Sequence, residues 1–222
     1  FMNLPSPKWH RRAFLQQATL GSAALFTVPG AFAEALVQTP PLAEGPFYPD
    51  RLPLDTDNDL ILLNDAITPA VGEVTHLTGR VRILGGKAVS NALVEIWQVD
   101  NNAVYIHSGS DNKENQDKNF QGYGRFSTDR KGRYYFRTIK PVAYPGRTPH
   151  IHVAVSKGGK RLLTTQLLIQ GEAANTRDGL FKRIKDPKLQ DALQVKFTPL
   201  KKSKTGELKA HFEIVLGLTP MD

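Results

Sequence analysis

The sequence predicts an all-β fold: a β-sandwich core of mostly antiparallel strands, with long loops, an extended N-terminal arm and one short helix. Three observations carry this. Short segments rich in β-branched and aromatic residues recur through the last two-thirds of the chain. Several of them alternate apolar and polar positions, the period of a strand with one buried face. Turns containing glycine separate them, at Gly85-Gly86, Asp129–Gly132 and Lys157–Lys160.

The elements follow in chain order. Residues 1–33 have the layout of a secretory signal. "HRRAFLQQ" places Arg11-Arg12 ahead of Phe14-Leu15, a weakly apolar run follows, and Ala31-Phe32-Ala33 offers a small-x-small cleavage site. The paired arginines point to the twin-arginine route, with a periplasmic or extracellular destination. The apolar run is too short and too interrupted for stable membrane insertion. An ordinary amphipathic N-terminal helix is the alternative. Residues 34–73, with "QTPPLAEGPFYPDRLPLDTDNDL", read as an extended arm with turns. Residues 74–222 form the sandwich domain. Its strands are expected at "VTHLTGRVRIL", "NALVEIWQV", "GRYYFRTI", "HIHVAV", "RLLTTQLLI" and "ELKAHFEIVL". The insert His107–Gly122 is too polar for a strand and reads as a surface loop. "DPKLQDAL" has an Asp cap and a first-turn Pro, which predicts the one helix near Pro187–Leu193.

Composition removes several function classes. There is no cysteine among the 222 residues, so disulfides, thiolate metal sites and a cysteine nucleophile are excluded. Any metal must be held by His, Tyr, Asp or Glu. The net charge of +8 is spread along the chain. Its densest cluster, Lys201, Lys202 and Lys204, has no interleaved aromatic platform, which argues against nucleic acid and leaves attraction of small anions.

Histidine is scarce, with six in the chain, yet two of the six stand in His150-Ile151-His152. On a strand both imidazoles point to one face and Ile151 to the other, close enough to share a metal ion. Taken alone, such a pair is more often two polar residues on a solvated strand face. Tyr144 lies just upstream, across Pro145, Gly146 and Pro149. A turn there can fold the phenol back toward the imidazoles. A phenol with an ordinary pKa near 10 suits few divalent ions, but a hard trivalent ion such as Fe(III) can hold it deprotonated. An aromatic beside a turn is the plainer reading of Tyr144.

"EGPFY", "LTGRV", "LVEIWQVD", "GRFSTDRKGRYYFRTIKP" and "YPGRTPHIHV", in this order between about Glu44 and about Gln170, resemble the intradiol ring-cleavage dioxygenases, the family of protocatechuate 3,4-dioxygenase and catechol 1,2-dioxygenase. The resemblance implies a β-sandwich with a non-haem Fe(III) held by two tyrosines and two histidines. It implies a catechol-type substrate, O2 as co-substrate, and cleavage between the two hydroxylated carbons to a muconate-type dicarboxylic acid. Residue by residue, it maps the ligands onto Tyr105, Tyr144, His150 and His152. Tyr123 competes with Tyr105 but stands at the start of the next strand, where the family draws no ligand.

The resemblance further places Arg147 over the substrate, where a guanidinium stabilises negative charge on the ring. It puts Gln166 near the iron and the arm residues Gly45, Pro46 and Tyr48 near the substrate pocket. A surface charge in a turn is the alternative for Arg147, and a polar residue on a half-exposed strand is the alternative for Gln166. Tyr134 and Tyr135 read as packing. Selectivity among catechols is expected from the arm at Glu44–Asp50 and the loop His107–Gly122, and a homo-oligomer is compatible with the sequence. Competing functions are a zinc hydrolase on His150 and His152, a facial-triad Fe(II) oxygenase drawing on His211-Phe212-Glu213, and an exported, metal-free β-sandwich binding module for a polyphenol or glycan.

Overall fold

The computed structural model describes residues 36–63 and 67–217; the proposed signal and its cleavage site lie outside the described residues. Nine strands form two sheets. They are β1 (Val74–Ile83), β2 (Leu93–Trp97), β3 (Tyr123–Ser127), β4 (Arg133–Ile139), β5 (His150–Lys157), β6 (Lys160–Ile169), β7 (Gln194–Val195), β8 (Thr198–Pro199) and β9 (Leu208–Leu216). One sheet has the order β4-β1-β9-β8 and the other β3-β2-β5-β6-β7. The pairs β1–β9 and β6–β7 are parallel and the rest antiparallel. The helix, α1, runs Pro187–Asp191, a little shorter than expected, and Asp186 caps it by accepting from Lys188 N.

The main core lies between the sheets. Alternation along β1 sends Leu77 and Val81 inward and leaves Arg80 outside. On β9, Ala210, Phe212 and Ile214 do the same, and β4 adds Tyr134 and Phe136. The five-stranded sheet answers with Val94 and Ile96, Ile151, Val153 and Val155, and Leu167. Each Val, Leu, Ile or Phe among them contributes roughly 1.5–3 kcal/mol on burial. Tyr134 fills this core and donates to Phe212 O at 2.6 Å, while Tyr135 faces outward onto His76 Nδ1 at 2.7 Å. Both are packing residues, as expected.

The outer face of the five-stranded sheet is also covered, which the one-faced strand pattern did not anticipate. Glu95 and Trp97 on β2 are as buried as Val94 and Ile96. The covering pieces are the arm, the loop after β2 and the segment before β5. The arm is tied down by backbone bonds: Leu42 N donates to Thr164 O at 2.9 Å and Leu60 N to Arg137 O at 2.8 Å. The loop from His107 to Gly122 is more than the surface loop expected. It contains one 3-10 turn, Lys113–Asn115, and buries Ser110, Phe120 and Gln121.

Candidate metal centre

The second cluster of buried aromatic residues lies on that covered face and contains Trp97, Val99, Tyr105, Tyr123 and Ala154, with Phe47, Tyr48 and Tyr144 packed against it. His150 and His152 project into it from β5, since Ile151 between them points into the main core. The strand register sets His152 opposite Trp97 on one side and Gln166 on the other. Trp97 stacks on His152 with ring centroids 4.8 Å apart and planes 9° from parallel.

Tyr105 arrives from the loop after β2. Asp100 shapes this loop by accepting from Asn102 N and Val104 N, and Lys113 clamps the carbonyls of Tyr105 and Ile106. Tyr105 Oη lies 2.9 Å from His152 Nε2 and 3.4 Å from His150 Nε2, and the two Nε2 atoms are 3.2 Å apart. Tyr144 enters on a turn closed by Arg147 N donating to Tyr144 O at 3.0 Å. Gly146 has φ +81°, so Pro145-Gly146 supplies the two central positions of a type II turn. The Tyr144 ring meets Tyr105 edge-on at 5.7 Å and His150 at 5.5 Å. Gly45, with φ +77°, brings the arm against His152; a side chain there would contact the imidazole Cε1 at 3.6 Å.

The donor set fits a cation. His150 Nδ1 sits 2.7 Å from Thr148 O, which places the ring proton there and leaves Nε2 with a lone pair. Burial first, then the neighbouring Arg147 charge, pushes the His150 pKa down to about 4. His152 is pushed well down by burial, by His150 and by Arg147. Both imidazoles are therefore neutral. His152 Nδ1 has no hydrogen-bond partner in either tautomer. The Tyr105 phenol is held protonated by burial and by the adjacent Tyr144. With the His152 proton on Nδ1, two imidazole lone pairs face the single Tyr105 hydroxyl proton, and a cation can bind all of these atoms. Among the described residues no group of three or more His, Asp or Glu could hold a metal.

The remaining predicted residues separate into two groups. Arg147 is a partly buried ion-pair partner: its Nε donates to Asp178 Oδ2 at 2.8 Å and its Nη2 to Gln166 Oε1 at 2.5 Å. Gln166 is fully buried, which excludes the half-exposed alternative, and its Nε2 donates to Ala43 O of the arm at 3.1 Å. The Tyr48 hydroxyl donates to Glu95 Oε1 at 2.7 Å, and the same carboxylate accepts from Tyr123 and pairs with Arg161. The Tyr48 ring packs edge-on against Trp97 at 5.0 Å. Pro46 is exposed at the turn. Tyr123 lies with Glu95 and not with the imidazoles. Phe47, which the sequence reading passed over, stacks on Tyr105 at 4.9 Å; its place in "EGPFY" was the available signal. Asp178 had no sequence signal. His211 and Glu213 pair with each other at 3.0 Å on an exposed strand face.

A family profile described as Dioxygenase matches residues 43–217. The protocatechuate 3,4-dioxygenase beta chain of Burkholderia cepacia is 36% identical over 187 residues, covering 78% of this chain and 77% of that one. Catechol 1,2-dioxygenase 2 of Acinetobacter lwoffii is 30% identical and covers 72% of this chain, which spans 64% of its length. Among solved structures, the dioxygenase domain of a dioxygenase carbohydrate-binding protein fusion from Streptomyces sp. SirexAA-E superposes with a TM-score of 0.62 at 30% identity, over 82% of this chain and 100% of that one. Catechol 1,2-dioxygenase from Acinetobacter sp. ADP1, at 23% identity, shares the fold with a TM-score of 0.62 over 94% of this chain and 70% of its own. With this match over most of its length, the chain belongs to the intradiol ring-cleavage dioxygenase family.

Proposed function

We propose that the protein is a non-haem Fe(III) enzyme that opens a catechol-type ring between its hydroxylated carbons, adds both atoms of O2 and yields a muconate-type dicarboxylic acid. The observation that carries the reading is the convergence of two phenols and two neutral imidazoles, with no carboxylate among them. Tyr105, Tyr144, His150 and His152 would hold the ion. A bound ferric ion supplies the charge that keeps both phenols ionised at neutral pH and the Lewis acidity that activates the diol.

The chain's own residues do the rest. Tyr144 is half-buried on its turn, and its Oη would accept one proton from the diol. Tyr105 stays fixed, stacked under Phe47. Arg147 and Gln166 present a positive charge and an amide beside the imidazoles, where negative charge on the ring is stabilised as it reacts with O2. Trp97, Phe47 and Gly45 exclude water and close the pocket on the side of the arm.

The test is ferric reconstitution followed by a visible spectrum and oxygen uptake against a panel of catechols, with the product identified. A tyrosinate-to-iron charge-transfer band and ring opening are expected. Tyr144→Phe is expected to remove much of the band; an unchanged spectrum would displace Tyr144 from the ligand set. A colourless protein that stays inactive after reconstitution would leave the metal-free binding module as the better reading. Export of the folded chain by the twin-arginine route fits a protein that acquires its metal before export. Cytoplasmic retention of the Arg11→Lys, Arg12→Lys chain is the check.

A further inference from the structure

Asp178 lies on the chain between β6 and β7, 31 positions from Arg147. Its side chain is 0% exposed, yet it is a carboxylate. Oδ2 accepts from Arg147 Nε at 2.8 Å and Thr148 N at 3.1 Å. Oδ1 accepts from Leu180 N and Phe181 N, both at 3.0 Å. Four donors satisfy it. The same stretch supplies Asn175, whose Oδ1 accepts from Thr148 Oγ1 at 2.6 Å. Thr148 O in turn faces His150 Nδ1. Arg147 is thus pinned twice, at Nε by Asp178 and at Nη2 by Gln166. A guanidinium fixed at two of its nitrogens keeps one plane and one direction, and an unpinned arginine would have to be ordered anew in each turnover.

We infer that Asp178 is a positioning residue: it aims the Arg147 guanidinium into the site and holds the 144–148 turn from which that guanidinium projects. The role rests on the dioxygenase reading above for what Arg147 does, but the pinning itself is a property of the metal-free chain. Asp178→Asn is the informative change. Whichever way the amide turns, its NH2 faces two N–H donors, so one pair of contacts is lost. Arg147→Gln leaves Asp178 with three backbone donors and so keeps the carboxylate satisfied.

The test is a double-mutant cycle of Asp178→Asn and Arg147→Gln, read as kcat and KM separately, together with hydrogen exchange of residues 144–150 in the metal-free protein. Asp178→Asn is expected to lower kcat/KM by roughly 10–100-fold, to retain the visible band of the ferric protein, and to speed exchange at 144–148. On the Arg147→Gln background most of that loss should disappear. An undiminished loss on that background, or loss of the band in step with activity, would overturn the assignment. If the wild-type ferric protein opens no catechol, the dioxygenase reading fails by itself. Exchange then decides the pinning: unchanged protection at 144–148 in Asp178→Asn overturns it, and faster exchange confined to that segment supports it. Should Asp178→Asn not fold, Asp178→Glu carries the same cycle, since it keeps the charge but displaces it by a methylene; wild-type turnover in that variant would overturn the inference.

Discussion

On the open face of the four-stranded sheet, each histidine has a carboxylate beside it. His76 lies between Tyr135 and Glu207, and His211 between Thr78 and Glu213. On the covered face of the other sheet, His150 and His152 have no such partner and face a phenol and each other. The residue types are the same, imidazole and phenol, though the phenols of the covered face come from the loop after β2 and the turn before β5. Cover makes the difference. Water and nearby acids satisfy the open-face groups, so a cation gains little by binding there. The arm, the loop after β2 and the 144–149 turn strip water from the other face and leave lone pairs aimed at a common point.

The largest contrast is expected from one substitution on each face. His152→Ala removes a proposed ligand, and turnover should fall by more than the roughly 10–100-fold that losing an outer partner of a metal site costs. Iron content should fall with it. His211→Ala should bind iron and turn over normally, with stability changed by no more than about 0.5 kcal/mol. Metal analysis and steady-state rates on the pair check this; loss of iron in His211→Ala would erase the distinction between the faces.

The part of this contrast that could be read in the sequence is the local part. His150, His152 and Tyr144 lie within nine residues, so strand alternation and a Pro-Gly turn were enough to align them. Six of the strands were legible from alternation and turns. The strands β7 and β8, two residues each, are too short to carry a pattern. The cover was less legible, because it depends on contacts between distant residues. The Tyr48 hydroxyl is held by the carboxylate of Glu95, 47 positions on. A buried Glu in a strand reads as an outward polar residue until both faces are known to be covered. Gln166 was ambiguous for the same reason, and Asp178 could not be found without its pairing to Arg147.

Glu95 gives the middle-sized contrast. One oxygen accepts two phenol protons, from Tyr48 and Tyr123, each at 2.7 Å, and the other pairs with Arg161 at 3.2 Å. Glu95 is thus the latch that joins the arm to β2 and β3. Glu95→Gln weakens both phenol contacts and leaves Arg161 unpaired there. A loss of about 1–3 kcal/mol is expected in urea unfolding of the metal-free protein, with earlier proteolytic cutting in the arm. Glu213→Gln, on the open face, should stay within about 0.5 kcal/mol. Equal midpoints for the two variants would mean that the arm is held by its backbone bonds alone.

The smallest contrast is in acid. Burial tends to raise the Asp178 pKa, but the Phe181 N–H, the Arg147 guanidinium and the Thr148 N–H together lower it further, and it ends below the ordinary carboxylate value. The unfolded chain then takes up this proton at a higher pH than the folded chain does. The stabilisation is therefore complete above about pH 4 and is lost as pH falls through the folded value. Asp178→Asn cannot titrate, so its stability should fall less steeply below about pH 4 than that of the wild type, whatever its stability at neutral pH. Urea midpoints of the metal-free wild type and Asp178→Asn between neutral pH and acid read both slopes. Equal slopes for the two chains would mean that the buried carboxylate is not held in its charged form by the contacts around it. Covering a face would then order its groups without setting their charge.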